Sequence, residues 1–575
     1  MISFFKNKSA AWFLGFTAVF AAAAVYVFWG TWSTAVVPVM PDTAWNFRDW
    51  SAAVDGFVRN WFVAGKFVPD DLKVFLASPW ALAEFQYVFA AFMAALGLAF
   101  FLRGKGLSPL AAYGAGILLA FSGYWFSLFS AGHLGWFRWM TYGVFAFGLI
   151  DRGKWALLGA VVAWASFYQP DLWLLFTVFT GAYFVYRCIV IRRFPWKGAL
   201  VAAVVFALVG APSFYNAFVN DLAGRDRQIA QAAAGSVSAA GPSSARSSDD
   251  EAKAREERWI FTTNWSLPPD ELAEAFLPRL NGDTSCIMTQ ALGTKAGTGV
   301  RPYTGALGRP VGAPKGNYRQ HSLYIGFMTC LLALLAVVRL PFLRRRMSAA
   351  DHHPSDILFF AISAALFFAL SCGRYFEPLY RLVFALPFGD YLRAPVKWYH
   401  LAEFCVCVLA GFGIEALEAW LDRLSGRWKR RADDGWKPSA PALIAAVLVL
   451  IGVFDLARVN RKYCAPVDMH QAQAKDAEMQ MTFLHKSQFK DPQLVKMVEA
   501  GFIQSLAYHP GDREVYLVGV LKPRRPRKDH PLPPWKLPTT LGLISLAATV
   551  SVCAAELVRG LFRKSVNENT LKAKS

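Results

Sequence analysis

The chain reads as an all-α polytopic membrane protein of about twelve transmembrane helices, carrying a small α+β extracytoplasmic appendage. Three observations predict this class. Of 575 residues, 55% are hydrophobic and only 17% are charged. The apolar residues fall into runs of roughly 20, the length over which a helix satisfies its own backbone N–H and C=O groups across hydrocarbon. Lys and Arg collect in short clusters between alternate runs, so the net charge of +20 points to cytoplasmic loops of a membrane protein and not to nucleic acid.

The first run, Ala10 to Trp32, exceeds a signal-peptide core, and no small-residue cleavage site follows before Pro38, so it reads as a retained span. Further spans are expected near 82–102, 109–130, 135–150, 155–168, 171–190, 198–219, 321–341, 355–372, 398–418, 440–458 and 538–560. The fifth is short and meets the sixth at Tyr168-Gln169-Pro170-Asp171, as a tight outer hairpin or a partly re-entrant pair. With the N-terminus inside, every inner segment is basic: Lys6 and Lys8, Arg103 and Lys105, Arg152 and Lys154, Arg187 to Lys197, Arg339 to Arg346, Arg423 to Lys437, and Arg559 to Lys574. The short outer turns at 131–134 and 168–171 contain no Lys or Arg. Both termini are therefore expected in the cytoplasm, and the chain in the inner membrane.

Residues 1–458 then form a transmembrane domain with long outer loops at 33–81 and 220–320, residues 459–537 the appendage, and residues 538–575 a last helix with a basic cytoplasmic tail. Arg225 to Arg258 is polar and Ala/Ser-rich, a composition suited to a mobile or disordered loop. In the appendage, Glu514 to Val520 reads as a strand after a helix around Asp491 to Ala500. The eight cysteines show no metal-ligand spacing; Cys286 and Cys464 both fall in outer loops and fit either one disulfide or a free pair.

Candidate chemistry lies in the outer loops. Asp42 and Asp49 are seven residues apart, two helical turns, in Pro41-Asp42-Thr43-Ala44-Trp45-Asn46-Phe47-Arg48-Asp49-Trp50. On an interfacial helix they share a face, with Arg48 beside them to hold an anionic group. An amphipathic helix turning ordinary polar residues to water explains the same spacing. Asp390 to His400 opens the tenth span, with Pro395 suited to its first turn. Free N–H groups and the helix dipole there, together with Arg393 and Lys397, would suit a phosphate. Cations snorkelling within a Trp/Tyr belt are the favoured alternative on the residues alone. His133 and Asp171 occupy the two tight outer turns and become candidates only by facing the side of Asp42. Within the spans the main ionisable residues are Glu403 and Glu415.

Four stretches, in order and on the same membrane side, carry a likeness to a known family: the acidic loop around Asp42; Ser122-Gly123-Tyr124 to Gly132-His133; Trp265-Ser266-Leu267-Pro268-Pro269-Asp270-Glu271-Leu272 to Leu277-Pro278, with Tyr303-Thr304-Gly305 and Tyr324-Ile325-Gly326; and Leu392-Arg393-Ala394-Pro395-Val396-Lys397 to Leu409-Ala410-Gly411. In these the chain resembles the YfhO family of bacterial membrane proteins, which belongs with the GT-C glycosyltransferases. The resemblance implies transfer of a sugar from a polyprenyl-phosphate donor to an envelope glycan, lipid or polymer acceptor on the outer face of the bacterial cytoplasmic membrane. It places Asp42 at the family's first-loop acidic position, as a general base or as a ligand of a divalent metal ion, with membrane lipids as the other partners. Residues 225–258 and 458–536 have no counterpart in that likeness. A flippase or transporter of a lipid-linked glycan, and an envelope-assembly scaffold using 459–537, are the competing expectations.

Overall fold

A computed structural model describes residues 8–29, 36–38, 82–131, 139–167, 170–216, 248–282, 305–307, 322–344, 353–386, 389, 392–424, 440–461, 466–468, 477–485, 503–509, 512–523 and 540–556. Helix predominates. Eight described helices are long and apolar enough to cross a membrane, while Trp155–Ser166, Phe327–Leu340 and Thr540–Glu556 are apolar but shorter. The chain divides into two compact units, Met1–Trp50 with Ala77–Thr141 and Arg246–Arg527, and Ser51–Leu76 with Tyr142–Ala245 and Lys528–Ser575.

The first unit contains α1 (Lys8–Val27), α2 (Leu82–Gly104), α3 (Pro109–Ala120) and α4 (Gly123–Ala131). A π-helical turn follows at Trp139–Gly143, crossing into the second unit. That second unit supplies α5 (Phe145–Asp151), α6 (Trp155–Ser166), α7 (Pro170–Ile191) and α8 (Trp196–Asn216). The first unit resumes with α9 (Ser248–Thr262), α10 (Phe327–Arg344), α11 (His353–Ser371), α12 (Glu377–Phe384), α13 (Trp398–Leu424) and α14 (Ala440–Arg461). The last described helix, α15 (Thr540–Glu556), belongs to the second unit.

Within the first unit α13 is the central helix, packed against α3, α10 and α11 and buried continuously from Trp398 to Ile414. Gly413 allows this packing, because a Cβ there would lie 1.9 Å from the Leu332 carbonyl oxygen of α10, and small residues are what let membrane helices approach so closely. At the far end of α13 from Trp398, Glu415 accepts from the Ser108 N–H at 2.7 Å and Glu418 bonds the Ser108 hydroxyl, placing two carboxylates at the N-terminus of α3 where the helix dipole favours them. Glu415 is thus a capping group.

One sequence expectation is refined and one is corrected. The third apolar run, expected as a span at 109–130, is among the eight candidate crossings as Pro109–Ser127, but it is broken locally: α3 stops at Ala120 and α4 starts at Gly123, whose N–H donates to the Tyr324 carbonyl at 2.6 Å. The polar stretch Arg225 to Arg258 is not loop throughout, because α9 covers 248–258 of it. Its far end is anchored by Trp259, which lies 5.3 Å from Phe384 and carries the Arg381 guanidinium 3.8 Å over its ring.

Strands β1 (Val36–Pro38) and β2 (Pro466–Asp468) pair antiparallel. β3 (Ala477–His485), β4 (Ile503–His509) and β5 (Asp512–Pro523) form an antiparallel sheet of order β3-β5-β4, with Met481 opposite Gly519. The strand expected at 514–520 lies within β5, whereas the helix expected at 491–500 falls outside the described residues, as do Cys286 and Cys464.

In the second unit, Asp151 at the end of α5 receives the Arg187 guanidinium at 2.7 Å and the Tyr183 hydroxyl at 2.9 Å, both from α7. α15 is tied to α6 by the Trp164 indole donating to the Thr549 hydroxyl at 3.3 Å, and to α8 by Ser545 donating to the Val209 carbonyl at 2.7 Å. Buried polar groups paired in this way avoid the cost of unmade hydrogen bonds in an apolar interior.

Candidate functional site

At the head of α13, segments that are hundreds of residues apart in sequence interlock. The backbone N–H of Ala394 donates to the Thr262 carbonyl at 3.0 Å, and that of Val396 to the Trp265 carbonyl at 3.1 Å. Leu267 donates to the Ser371 carbonyl at 2.9 Å, and Ile325 to that of Ala275 at 2.9 Å. Arg374 closes the mesh: its N–H meets the Ser266 hydroxyl at 2.9 Å, while its guanidinium holds the Thr263 carbonyl at 2.7 Å and the Asn264 side-chain oxygen at 3.1 Å. Burial pulls the Arg374 pKa down from its ordinary value. Tyr399 donates to the Leu323 carbonyl, and Tyr324 to the Asp455 carboxylate; burial first, and then that carboxylate, push the Tyr324 pKa up.

The backbone of this mesh is unusual. Trp265 (φ 69°), Ala394 (φ 64°), Gly326 (φ 109°) and Gly373 (φ 49°) all occupy left-handed conformations. For the two residues with a Cβ this costs roughly 1–2 kcal/mol each, and such strain persists only where surrounding bonds over-determine it. Gly373 is also sterically required: a Cβ there would lie 2.2 Å from the Ser266 Oγ and 2.5 Å from Pro395 Cγ. Gly373→Ala is expected to cost about 2 kcal/mol or more, read as a lowered melting temperature of the purified protein in detergent.

Lys397, His400 and Glu403 follow one another at three-residue spacing along the head of α13, and all three are buried, at 5%, 0% and 0% exposure. His400 is held between two rings of α4, with the Tyr124 ring centroid at 4.1 Å and that of Trp125 at 4.3 Å. Its Nδ1 lies 3.6 Å from a Glu403 carboxylate oxygen. The other oxygen of Glu403 accepts from the Tyr124 N–H at 3.2 Å. The π-turn contributes Trp139, stacked on Trp125 at 6.3 Å. The cluster therefore gathers an imidazole, a carboxyl group and an amine in a buried, aromatic enclosure.

Comparison of the chain with known protein families, with curated proteins and with solved structures finds no match. The site is thus read from its own residues.

The structure separates the two cations expected to act together. Arg393 is exposed, whereas Lys397 does not snorkel but turns into the bundle. The helix end expected to offer free N–H groups has them engaged: Val396 N–H by Trp265, Lys397 N–H by the Ala394 carbonyl at 3.0 Å, and Trp398 N–H by Pro395 and Val396. Asp42, Arg48, Asp49 and His133 lie outside the described residues. Asp171 is on the first turn of α7 in the second unit, and its side chain is likewise outside them. Among the described residues no three His, Cys, Asp or Glu side chains gather as a metal site.

Three participants were missed by reading motifs one at a time. His400 carries no motif of its own, and its signal is the three-residue spacing with Lys397 and Glu403 that sets all three on one face. Glu271 and Glu274 on the 3₁₀ turn Pro269–Ala275 are buried at 1% and 3%. Glu271 accepts from the Ala306 and Leu307 N–H groups at 2.6 and 3.1 Å, and Glu274 from the Asn281 N–H at 2.8 Å, so both hold loop backbone in place.

Proposed function

We propose that the chain is an integral-membrane glycosyltransferase of GT-C type, moving a sugar from a polyprenyl-phosphate donor to an envelope glycan, lipid or polymer acceptor on the extracytoplasmic face. The observation that supports this reading is the interlock itself. Ser122-Gly123-Tyr124, Trp265 to Leu272, Tyr324-Ile325-Gly326 and Leu392 to Lys397 carry the family likeness, and they meet at one end of α13.

In the proposed reaction the Asp42 carboxylate accepts the proton of the acceptor hydroxyl as that oxygen attacks the anomeric carbon. The bond from that carbon to the lipid phosphate oxygen breaks, and the exposed Arg393 guanidinium meets the departing phosphate. Lys397 is enclosed, so it is assigned to the interior cluster. Helping to hold a divalent metal ion is the alternative role of Asp42 in this proposal, with no step routed through the ion. On this reading the shorter apolar helices and the 139–151 segment complete twelve crossings of the bacterial cytoplasmic membrane, with both termini cytoplasmic and 459–537 an outer appendage.

A second reading, a carrier of a lipid-linked glycan, is favoured by one observation: Lys397, His400 and Glu403 are ionisable groups withdrawn into the interior of a spanning helix bundle. Proteoliposomes loaded with labelled lipid-linked sugar separate the two. The transferase consumes the donor and releases polyprenyl phosphate only when acceptor is present. Donor that crosses the bilayer unconsumed, with or without acceptor, would establish the carrier instead.

A further inference from the structure

The second unit holds a groove that the proposed reaction does not use. It has a volume of about 340 Å³, is bounded by α6, α7 and α8, and is lined by Ile150, Trp155, Gly159, Thr177, Gly181 and Phe206 among others. Apart from the hydroxyls of Thr177 and Thr180 and the indole N–H of Trp155 its walls are apolar. The helices beside it expose Val178, Val185 and Ile189 from α7 and Leu200, Val201 and Val204 from α8, the composition of a surface that faces hydrocarbon.

One end of the groove meets a basic, aromatic turn. Trp155 and Phe184 line the groove and cross at 5.8 Å, and Phe184 continues to Phe194 at 5.7 Å. Phe194 belongs to the turn Arg192-Arg193-Phe194-Pro195-Trp196-Lys197, in which Arg192, Arg193, Phe194, Trp196 and Lys197 are all exposed. Trp155 also lies against the start of α8, where a Cβ on Gly198 would come within 2.2 Å of its indole nitrogen. Lys154, next in sequence to Trp155, pairs with Glu556 of α15. Cations and amphipathic rings therefore stand at the mouth, and an oily channel runs from it along the helices.

We propose that this groove is a binding site for one anionic phospholipid, its phosphate met by Arg192, Arg193 and Lys197 and one acyl chain lying between α6, α7 and α8. The charge at the mouth selects an anionic headgroup, since each Lys or Arg near such a headgroup adds about tenfold or less to affinity. The wall chemistry selects a hydrocarbon chain, because the lining offers only the Thr177 and Thr180 hydroxyls and the Trp155 indole N–H to a polar occupant. The site is independent of the transfer reaction.

Gly181 makes the proposal testable without disturbing the fold. It lines the groove, and a Cβ added there meets nothing within 4 Å, so Gly181→Leu places a side chain in the channel rather than in packed structure. Native mass spectrometry of the full chain, titrated in detergent with phosphatidylglycerol, phosphatidylcholine or polyprenyl phosphate, reads the binding directly. One phosphatidylglycerol is expected to bind at least tenfold more tightly than phosphatidylcholine. Gly181→Leu, and separately Arg192→Gln/Arg193→Gln/Lys197→Gln, are each expected to weaken it about tenfold or more, with melting temperatures measured without lipid unchanged. Equal retention of the two phospholipids, unchanged binding in both variants, or preference for polyprenyl phosphate at this site would each overturn the assignment.

Discussion

Asp42→Asn is expected to lower sugar transfer on the order of a hundredfold to ten-thousandfold while leaving expression and helix content intact. The substitution keeps the shape of the side chain and removes its ability to take a proton. If Asp42 is the base, the acceptor hydroxyl must then attack while still protonated, and the loss appears in the rate of transfer at saturating donor, not in donor binding. Asp49→Asn serves as the comparison: a carboxylate that takes no proton from the acceptor would lose little. The measurement is acceptor-dependent release of polyprenyl phosphate in proteoliposomes. Full activity in Asp42→Asn would remove the residue from catalysis and with it the assignment of the first outer loop as the reacting centre.

The second large effect concerns stability. Lys105, in the turn after α2, meets both carboxylate oxygens of Asp356 at 3.1 and 3.0 Å, and the two side chains are only 6% and 1% exposed. Asp356 also lies in the first turn of α11, where the dipole adds to its stabilisation. Asp356→Asn leaves the Lys105 ammonium buried against a neutral amide, and breaking a buried pair on one side costs about 3–5 kcal/mol. A melting temperature lowered by many degrees in detergent is the expected result. Lys105→Met combined with Asp356→Leu removes both charges together and is expected to recover most of the loss. A single variant as stable as the parent would mean that the pair is hydrated and contributes little.

The helices were legible because a membrane imposes them: 82–102 was expected and α2 covers Leu82–Gly104, and 440–458 was expected where α14 covers Ala440–Arg461. The number of crossings was less legible, since a run such as Trp155–Ser166 is 12 residues long and falls short of the roughly 20 that hydrocarbon demands. The break between α3 and α4 left no mark in composition, because it depends on Gly123 finding the Tyr324 carbonyl some two hundred positions later. Reading α9 as loop failed for a related reason. Its polarity is real, but the docking of Trp259 against Phe384 and Arg381 stabilises a helix that composition alone disfavours.

The candidate site was legible in its parts and not in its assembly. The stretch from Leu392 to Lys397 was singled out, yet a cation at the end of a span ordinarily reaches for water. What turns Lys397 inward is an interior already furnished with Tyr124, Trp125, His400 and Glu403, and the aromatic pair comes from α4. The loss of the expected helix-end anion site has an equally distant origin. The Trp265 carbonyl, presented by a left-handed residue, takes the Val396 N–H before any phosphate can.

The central claim is that the interlocked segments at the head of α13 frame the place where a lipid-linked sugar reacts. An electron cryomicroscopy structure of the full chain with a bound polyprenyl-phosphate sugar tests it most directly. The account predicts the lipid phosphate in contact with Arg393, and the anomeric carbon within reach of the Asp42 carboxylate beside the Ser122 to Tyr124 and Trp265 to Leu272 segments. A donor seated elsewhere, with Arg393 and Asp42 both remote from it, would contradict the account.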